Sequence, residues 1–320
     1  LSLHYNTFSD FLGLYFPGKV RKIPVHAGLG CPNRDGTLGR SGCIYCSNAA
    51  FNPSYAHDSH GSITEQLREG ISFASHKGPF YGYLAYFQSY TNTYGDTSGL
   101  IKMYEEALEY PGVVGLVIAT RPDCIEPDLA DWFERRFGNL APEDHPFLLI
   151  EIGVESTLDS TLERIDRGHT FACARNTITD LASRGIKVGA HIILGLPGET
   201  HQDFMTHAER ISALPVSTLK LHQLQIVRGT PLESIYKANP ESIHLFTAQE
   251  YAMVVNEFVQ RAGKDIYYDR FVSETPNSLL VAPRWGIKPD AFQLICKNMP
   301  NSFADKNGDC NFASDNKTEL

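Results

Sequence analysis

KIPVHAGLGCPNRDGTLGRSGCIYC, residues 22–46, opens on a short β-type run and closes in a glycine-rich loop carrying three cysteines. The run KIPVHAG (22–28) has the residue types of a strand. The residues after it decide the fold. No GxGxxG comes next, so this first strand-to-helix turn is not that of a dinucleotide-binding sheet. Cys31, Cys43 and Cys46 stand there instead, with eleven residues between the first pair and two between the second.

Outward from this stretch the same rhythm repeats. Strand-like runs occur at YGYLAYFQ (81–88), VVGLVIAT (113–120), PFLLIEIGVE (146–155), IKVGAHIILG (186–195) and STLKLHQLQIV (217–227). Helical patterns fill the intervals at 61–77, 98–110, 126–137, a broken stretch over 157–184, and 200–213. Ser62 and Glu65 have capping-box spacing, and Glu199-Thr200 follows a Pro-Gly turn. Several strand runs are apolar almost throughout, as parallel strands covered on both faces must be. The pattern predicts an α/β fold: a partial (β/α)6 TIM-like barrel of parallel strands with a C-terminal helical extension. Residues 1–228 form the expected core, with the cysteine loop at 31–46. Residues 229–296 form a helical or mixed extension, with a helix over 247–263 and IYYDRFV as a candidate further strand. Residues 297–320 read as a polar, mobile tail rich in Asn, Asp and Ser.

The chain has 320 residues, of which 42% are hydrophobic and 20% charged, and a net charge of −9. That balance argues against a general nucleic-acid coat protein. No run approaches the roughly 18 apolar residues of a membrane span. The first residues, LSLHYNTFSDFLGLYFPGKVRK, lack the basic and apolar regions of a signal peptide. The sequence does not begin with Met, which reads as a trimmed or partial chain. Seven cysteines in this length are sparse, and only three cluster. A reducing, cytoplasmic setting and metal or catalytic use are the resulting expectations. Cys124 and Cys173 read as ordinary thiols, and Cys296 and Cys310 lie in the polar C-terminal segment.

Three thiolates on one loop leave alternatives. A zinc site needs a fourth ligand, for which His26, His57 and His60 are the candidates. A thioredoxin-like pair would leave Cys31 without a role. A [4Fe–4S] cluster on three cysteines leaves one iron open.

The loop resembles the cluster loop of radical S-adenosylmethionine (SAM) enzymes, in the branch with an Elongator-catalytic-subunit, MiaB and NifB-like core. The common spacing there is CxxxCxxC, and the longer first gap is that of Elongator-like members. The phrase HAGLGCPNRDGTLGRSGCIYC (26–46) is similar to a compact bacterial family of YhcC/YtqA type. LAYFQSYTNTY (84–94), IATRPDC (118–124), EIGVES (151–156), RIDRGHTF (164–171), HIILGLPGET (191–200) and LKLHQLQIVRGTPL (219–232) agree in order.

The resemblance implies that Cys31, Cys43 and Cys46 ligate three irons and that SAM chelates the fourth. Reductive cleavage of SAM would then give methionine and a 5′-deoxyadenosyl radical. It places Tyr45 near the adenine and Gln88 and Ser89 near the SAM amino end, although the GGE-like group of many relatives is absent here. Glu155 is implied at the ribose or methionine part, Arg167 at the carboxylate, His191 at the ribose, and Gly195 where LGLPGE closes over the adenine. Arg121, Lys220, His222 and Gln223 read as substrate-side residues near strand ends, and no general acid or base stands out. Relatives with Elongator-like cores make tRNA the leading substrate, with a wobble-uridine side chain as the target. Arg164, Arg167, Arg175, Arg184 and Lys187 are the residues of a local basic face. A small metabolite or peptide substrate, or a non-enzymatic Fe–S or zinc protein, are the alternatives. A low-potential electron donor of flavodoxin or ferredoxin type is the implied partner, and no membrane is.

Overall fold

Strands apolar at nearly every position cannot leave a face in water, and here they do not. The computed structural model describes residues 5–47, 61–138 and 146–298. The chain opens with β1 (Asn6–Thr7), α1 (Phe8–Gly13), β2 (Val20–Val25) and a single helical turn, α2 (Pro32–Asp35). Alternation continues through α3 (Ile63–Ser75), β3 (Gly82–Phe87), α4 (Thr97–Glu109), β4 (Val113–Thr120), α5 (Pro127–Phe137) and β5 (Phe147–Glu155). Two helices, α6 (Asp159–Arg164) and α7 (Phe171–Ser183), replace the broken helical stretch and lead to β6 (Lys187–Leu194), α8 (His201–Ser212) and β7 (Thr218–Gln223). The remainder holds β8 (Ile226–Val227), α9 (Pro231–Ala238), α10 (Ala248–Ala262), β9 (Tyr267–Arg270), β10 (Leu280–Ala282) and α11 (Pro289–Asn298).

The six expected strands pair in parallel, and β9 and β1 extend them, giving the order β1-β9-β7-β6-β5-β4-β3-β2. The sheet therefore has eight strands, because β1 joins β9 beside β7. IYYDRFV supplies β9. The other addition, β1 with α1, went unread, although Thr7 and Asp10 form a complete capping box there. Capping boxes also start α3 at Ser62–Glu65 and α8 at Thr200–Asp203. β8 and β10 form a separate antiparallel pair. Cys310 and the tail beyond residue 298 lie outside the described residues, as do His57 and His60.

The two faces of the sheet differ in kind. Ile23, Phe87, Ile118, Ile150, Val188 and Leu221 face outward into one large core with the helices. Their inward neighbours fill the lumen in layers. At its N-terminal end, Phe11 and Leu12 of α1 pack on Leu84, Val117, Phe147 and Leu149 as an apolar plug.

Above the plug lies a layer of charge. Lys22 Nζ of β2 contacts Glu151 Oε1 of β5 at 3.1 Å and Asp269 Oδ2 of β9 at 2.5 Å. Lys220 Nζ of β7 contacts Glu151 Oε2 at 2.5 Å, Asp269 Oδ2 at 3.3 Å and the Tyr86 hydroxyl at 2.7 Å. Because β2 is one edge of the sheet and β9 lies next to the other, the Lys22–Asp269 contact spans the curl. Burial alone would raise the Glu151 and Asp269 carboxyls, but Lys22 and Lys220 hold Glu151 well below the usual range and Asp269 down to about 2.

Candidate active site at the barrel mouth

The C-terminal end of β2 runs into the cysteine loop, at the end of the barrel where strand-borne sites form. Cys31 caps α2, and the chain then doubles back through Leu38 and Gly39, whose amides donate to the Pro32 carbonyl at 2.8 and 3.2 Å. Gly42 N donates to Asn33 O at 2.8 Å, which delivers Cys43 into the protein. Ile44 then clips the loop to two other segments, donating to Ile165 O at 3.1 Å and accepting from Leu232 N at 2.9 Å. Cys43 is buried, whereas Cys31 and Cys46 are half-buried. Burial, reinforced by Cys43, pushes the Cys46 thiol up to about 11.

The segment after β5 supplies the opposite wall. Glu155 closes β5 at φ +67, a left-handed conformation enforced beside a register shift against β6. Arg167 is buried, with Nη2 donating to Gly153 O at 2.6 Å, Nη1 to Cys43 Sγ at 3.6 Å, and an ion pair to Glu155 Oε1 at 3.5 Å. Tyr45, Glu155, Arg167 and Cys43 thus form one cluster. Burial, together with Glu155 and Cys43, raises the Tyr45 hydroxyl well above its ordinary value. Arg121 ends β4 as a buried guanidinium clamped on Asp123 at 2.9 and 2.8 Å. A Cβ on Gly168 would lie 3.3 Å from Arg121 Nη2, so Arg121 packs directly against this wall.

Other expected residues share the rim at different depths. Ser89 is buried and Gln88 half-buried, just beyond β3. Gly195 leaves β6 at φ +93, and a Cβ there would approach Phe246 to 2.9 Å, so no other residue fits this turn without strain. His191 lies one level lower, with Nε2 3.2 Å from Glu151 Oε2. It belongs to the charged layer as well as to the mouth. Burial and Lys220 lower its pKa, which favours the neutral ring donating from Nε2.

Several readings are revised. Lys220 is absorbed in the charged layer, and Gln223 exchanges hydrogen bonds with the Ser273 backbone at 2.8 and 3.2 Å. His222 Nδ1 bonds the Ser273 hydroxyl. These three tie β7 to its neighbours. The five basic residues do not make one face. Arg167 is buried at the mouth, and Lys187 begins β6 at the far end of the barrel. Arg184 pairs with Asp131, Glu134 and Asp180.

Sequence reasoning missed Asn33, buried within the loop, and Glu199. The Glu199 carboxylate accepts from Ser156 Oγ at 2.6 Å and contacts His207 Nε2 at 3.1 Å, wiring the GVES and LPGE turns together. Asn33 follows Cys31 by two residues inside the loop, and that proximity was its available signal.

Among the described residues, no three His, Cys, Asp or Glu side chains converge on one point as a single-ion site requires. A [4Fe–4S] cluster asks something else, since its thiolates bind separate irons. The residues here suit it. Asn33 Nδ2 and Arg167 Nη1 turn N–H groups on Cys43 at 3.4 and 3.6 Å. Three buried nitrogens of this wall, Arg121 Nη1, Arg167 Nε and His169 Nε2, lack hydrogen-bond partners among the described residues. Orphaned guanidinium N–H groups of this kind fit an incoming anion such as a carboxylate.

A curled parallel barrel with a three-cysteine loop at its mouth defines a class, and the chain belongs to the radical SAM superfamily, whose sequence profile matches residues 28–211. The profile of the Radical_SAM C-terminal domain matches residues 216–300. The superfamily's cofactors, a [4Fe–4S] cluster and SAM, are those of this chain. Protein YhcC of Escherichia coli (strain K12) is 34% identical over 88% of this chain and 87% of its own length. YtqA of Bacillus subtilis (strain 168) is 30% identical over 93% and 90%. In fold, the chain matches the archaeal Elp3 of Methanocaldococcus infernus lacking residues 1–46, with a TM-score of 0.64 at 17% identity. That match covers 86% of this chain and 61% of the other. No helix among the described residues is long and apolar enough to cross a membrane.

Proposed function

We propose that this radical SAM enzyme holds its cluster on Cys31, Cys43 and Cys46 and modifies a nucleoside of tRNA, with a wobble-uridine side chain as the target. The single observation that carries the cluster assignment is Cys43, buried at the barrel mouth under two side-chain N–H donors and beside orphaned guanidinium nitrogens. When bound, the cluster and SAM together supply hydrogen abstraction by a 5′-deoxyadenosyl radical, driven by an electron donor of flavodoxin or ferredoxin type.

The chain's own residues bind and orient. Gly153 and Glu155 fix the plane of Arg167, whose Nε would be the donor for the SAM carboxylate. Tyr45 would flank the adenine, Gln88 and Ser89 would take the amino end, and Glu155 and His191 would take the ribose side. Gly195 lets the β6 turn approach closely. The apolar plug below closes the N-terminal end of the lumen.

The tRNA reading rests on the Elongator-like motifs. A small metabolite or peptide is the second reading, favoured by the dispersal of the five basic residues between the two barrel ends. Anaerobic reconstitution followed by reduction tests the first half: the protein should turn brown and cleave SAM to 5′-deoxyadenosine, and Cys31→Ala should abolish both. Full cleavage by Cys31→Ala would overturn the ligand set. Mass spectrometry of tRNA nucleosides from deletion and wild-type cells tests the second. One nucleoside should change, and identical profiles would transfer the assignment to the small-molecule reading.

A further inference from the structure

The eleven residues between Cys31 and Cys43 are more than a spacer needs, and the structure gives them work. α2 and the turn after it fold back so that the loop's own side chains reach the later cysteines. Asn33 is buried, and its Nδ2 also donates to Asp166 O at 2.7 Å and Arg167 O at 3.1 Å. Two carbonyl acceptors fix which way the amide faces, because its oxygen cannot point at them. The nitrogen is therefore the atom at 3.4 Å from Cys43 Sγ, and because its two hydrogens face three acceptors, the sulfur shares one of them with a carbonyl as the longer arm of a bifurcated hydrogen bond. Arg34 does the companion work, with Nη2 on Cys46 O at 2.7 Å.

The glycines of both segments leave the space this requires. A Cβ on Gly42, which sits at φ +75, would meet Arg34 Nε at 2.8 Å. A Cβ on Gly168 would meet Asn33 Oδ1 at 2.7 Å.

We propose that Asn33 is a positioning residue that holds Cys43 in place and raises the reduction potential of the cluster bound there. This rests on the ligand set proposed above. An N–H donor on a cluster thiolate favours the reduced state, which carries one more negative charge, and so makes the electron easier to accept. Asn33 does this from inside the loop, while Arg167 serves the same sulfur from the opposite wall. The long first gap is thereby a built part of the electron-accepting site.

The test is an EPR-monitored redox titration of the reconstituted full chain. Asn33→Leu, similar in size but without a donor, should shift the midpoint potential to more negative values at wild-type iron content. Asn33→Gln, which restores an N–H, should bring it back towards wild type. An iron-replete Asn33→Leu protein with the wild-type potential would overturn the proposal. Should Asn33→Leu lose its iron, wild-type protein labelled with 15N-asparagine decides: pulsed EPR should detect a weak nitrogen coupling to the reduced cluster, and its absence would overturn the contact. Wild-type protein that takes up no [4Fe–4S] cluster would instead sink the ligand assignment itself.

Discussion

The two ends of the barrel lumen are built from the same strands and obey opposite rules. Leu149 and Glu151 are two residues apart on β5 and point the same way, yet one packs on Phe11 and Leu12 while the other binds two lysines. Two residues higher, Gly153 offers a carbonyl to Arg167. Along one strand the lumen passes from an apolar plug through a compensated ion layer to a mouth with unpaired donors. The plug and ion layer are internally satisfied. The mouth is not, and that is where binding energy remains to be gained.

Perturbing each level should break this contrast in a different way. The largest stability effect belongs to the ion layer. Glu151→Ala leaves the buried Lys220 and the half-buried Lys22 with only Asp269 between them, and removing one partner of a buried ion pair costs about 3–5 kcal/mol. Urea denaturation of the apoprotein measures it, and a loss under about 1 kcal/mol would mean that water enters the layer freely. Next comes the plug. Leu12→Ala should cost about 3 kcal/mol through lost burial and cavity, with iron uptake unchanged. A Leu12→Ala protein with wild-type stability and impaired iron uptake would abolish the separation of the two ends.

The smallest effect is in pH dependence. Asp269 titrates near 2 in the folded protein, below an ordinary carboxyl near 4, because Lys22 and Lys220 outweigh the opposing effect of burial. A depressed carboxyl stabilises the fold above its unfolded pKa. Its contribution should fade as pH drops from about 4 to about 2. Asp269→Asn should flatten the stability curve over that interval and leave it parallel to wild type at pH 6–8. A variant curve as steep as wild type below pH 4 would assign acid sensitivity to other groups.

The sequence was most legible where one property dominates a whole run. β4 and β5 are buried nearly end to end, and their apolar runs announced them. The charged layer was not legible, because Lys22, Glu151, Lys220 and Asp269 lie far apart in the chain and only the curl assembles them. Lys220 therefore read as a substrate-side residue near a strand end, because its partners across the lumen are not visible in the sequence. At the mouth the cysteine loop stood out by spacing, and Arg167 and Glu155 by motif. Asn33 stayed hidden because the carbonyls that orient its amide belong to Asp166 and Arg167, far along the chain from the loop. The supposed basic face failed for the opposite reason: linear proximity of Arg164, Arg167, Arg175, Arg184 and Lys187 hid a β–α unit that sends them to both ends.

The pairing of β1 with β9 also bears on how the protein is made. Asn6 sits beside Tyr267, so β1 has no partner strand until β9 has been made. The helices and middle strands can settle as they emerge, but Lys22 and Lys220 receive Asp269 only after residue 270 is synthesised. A nascent chain stalled short of that point would carry excess positive charge inside a half-curled sheet. The ion layer is therefore complete only once β9 has joined β7.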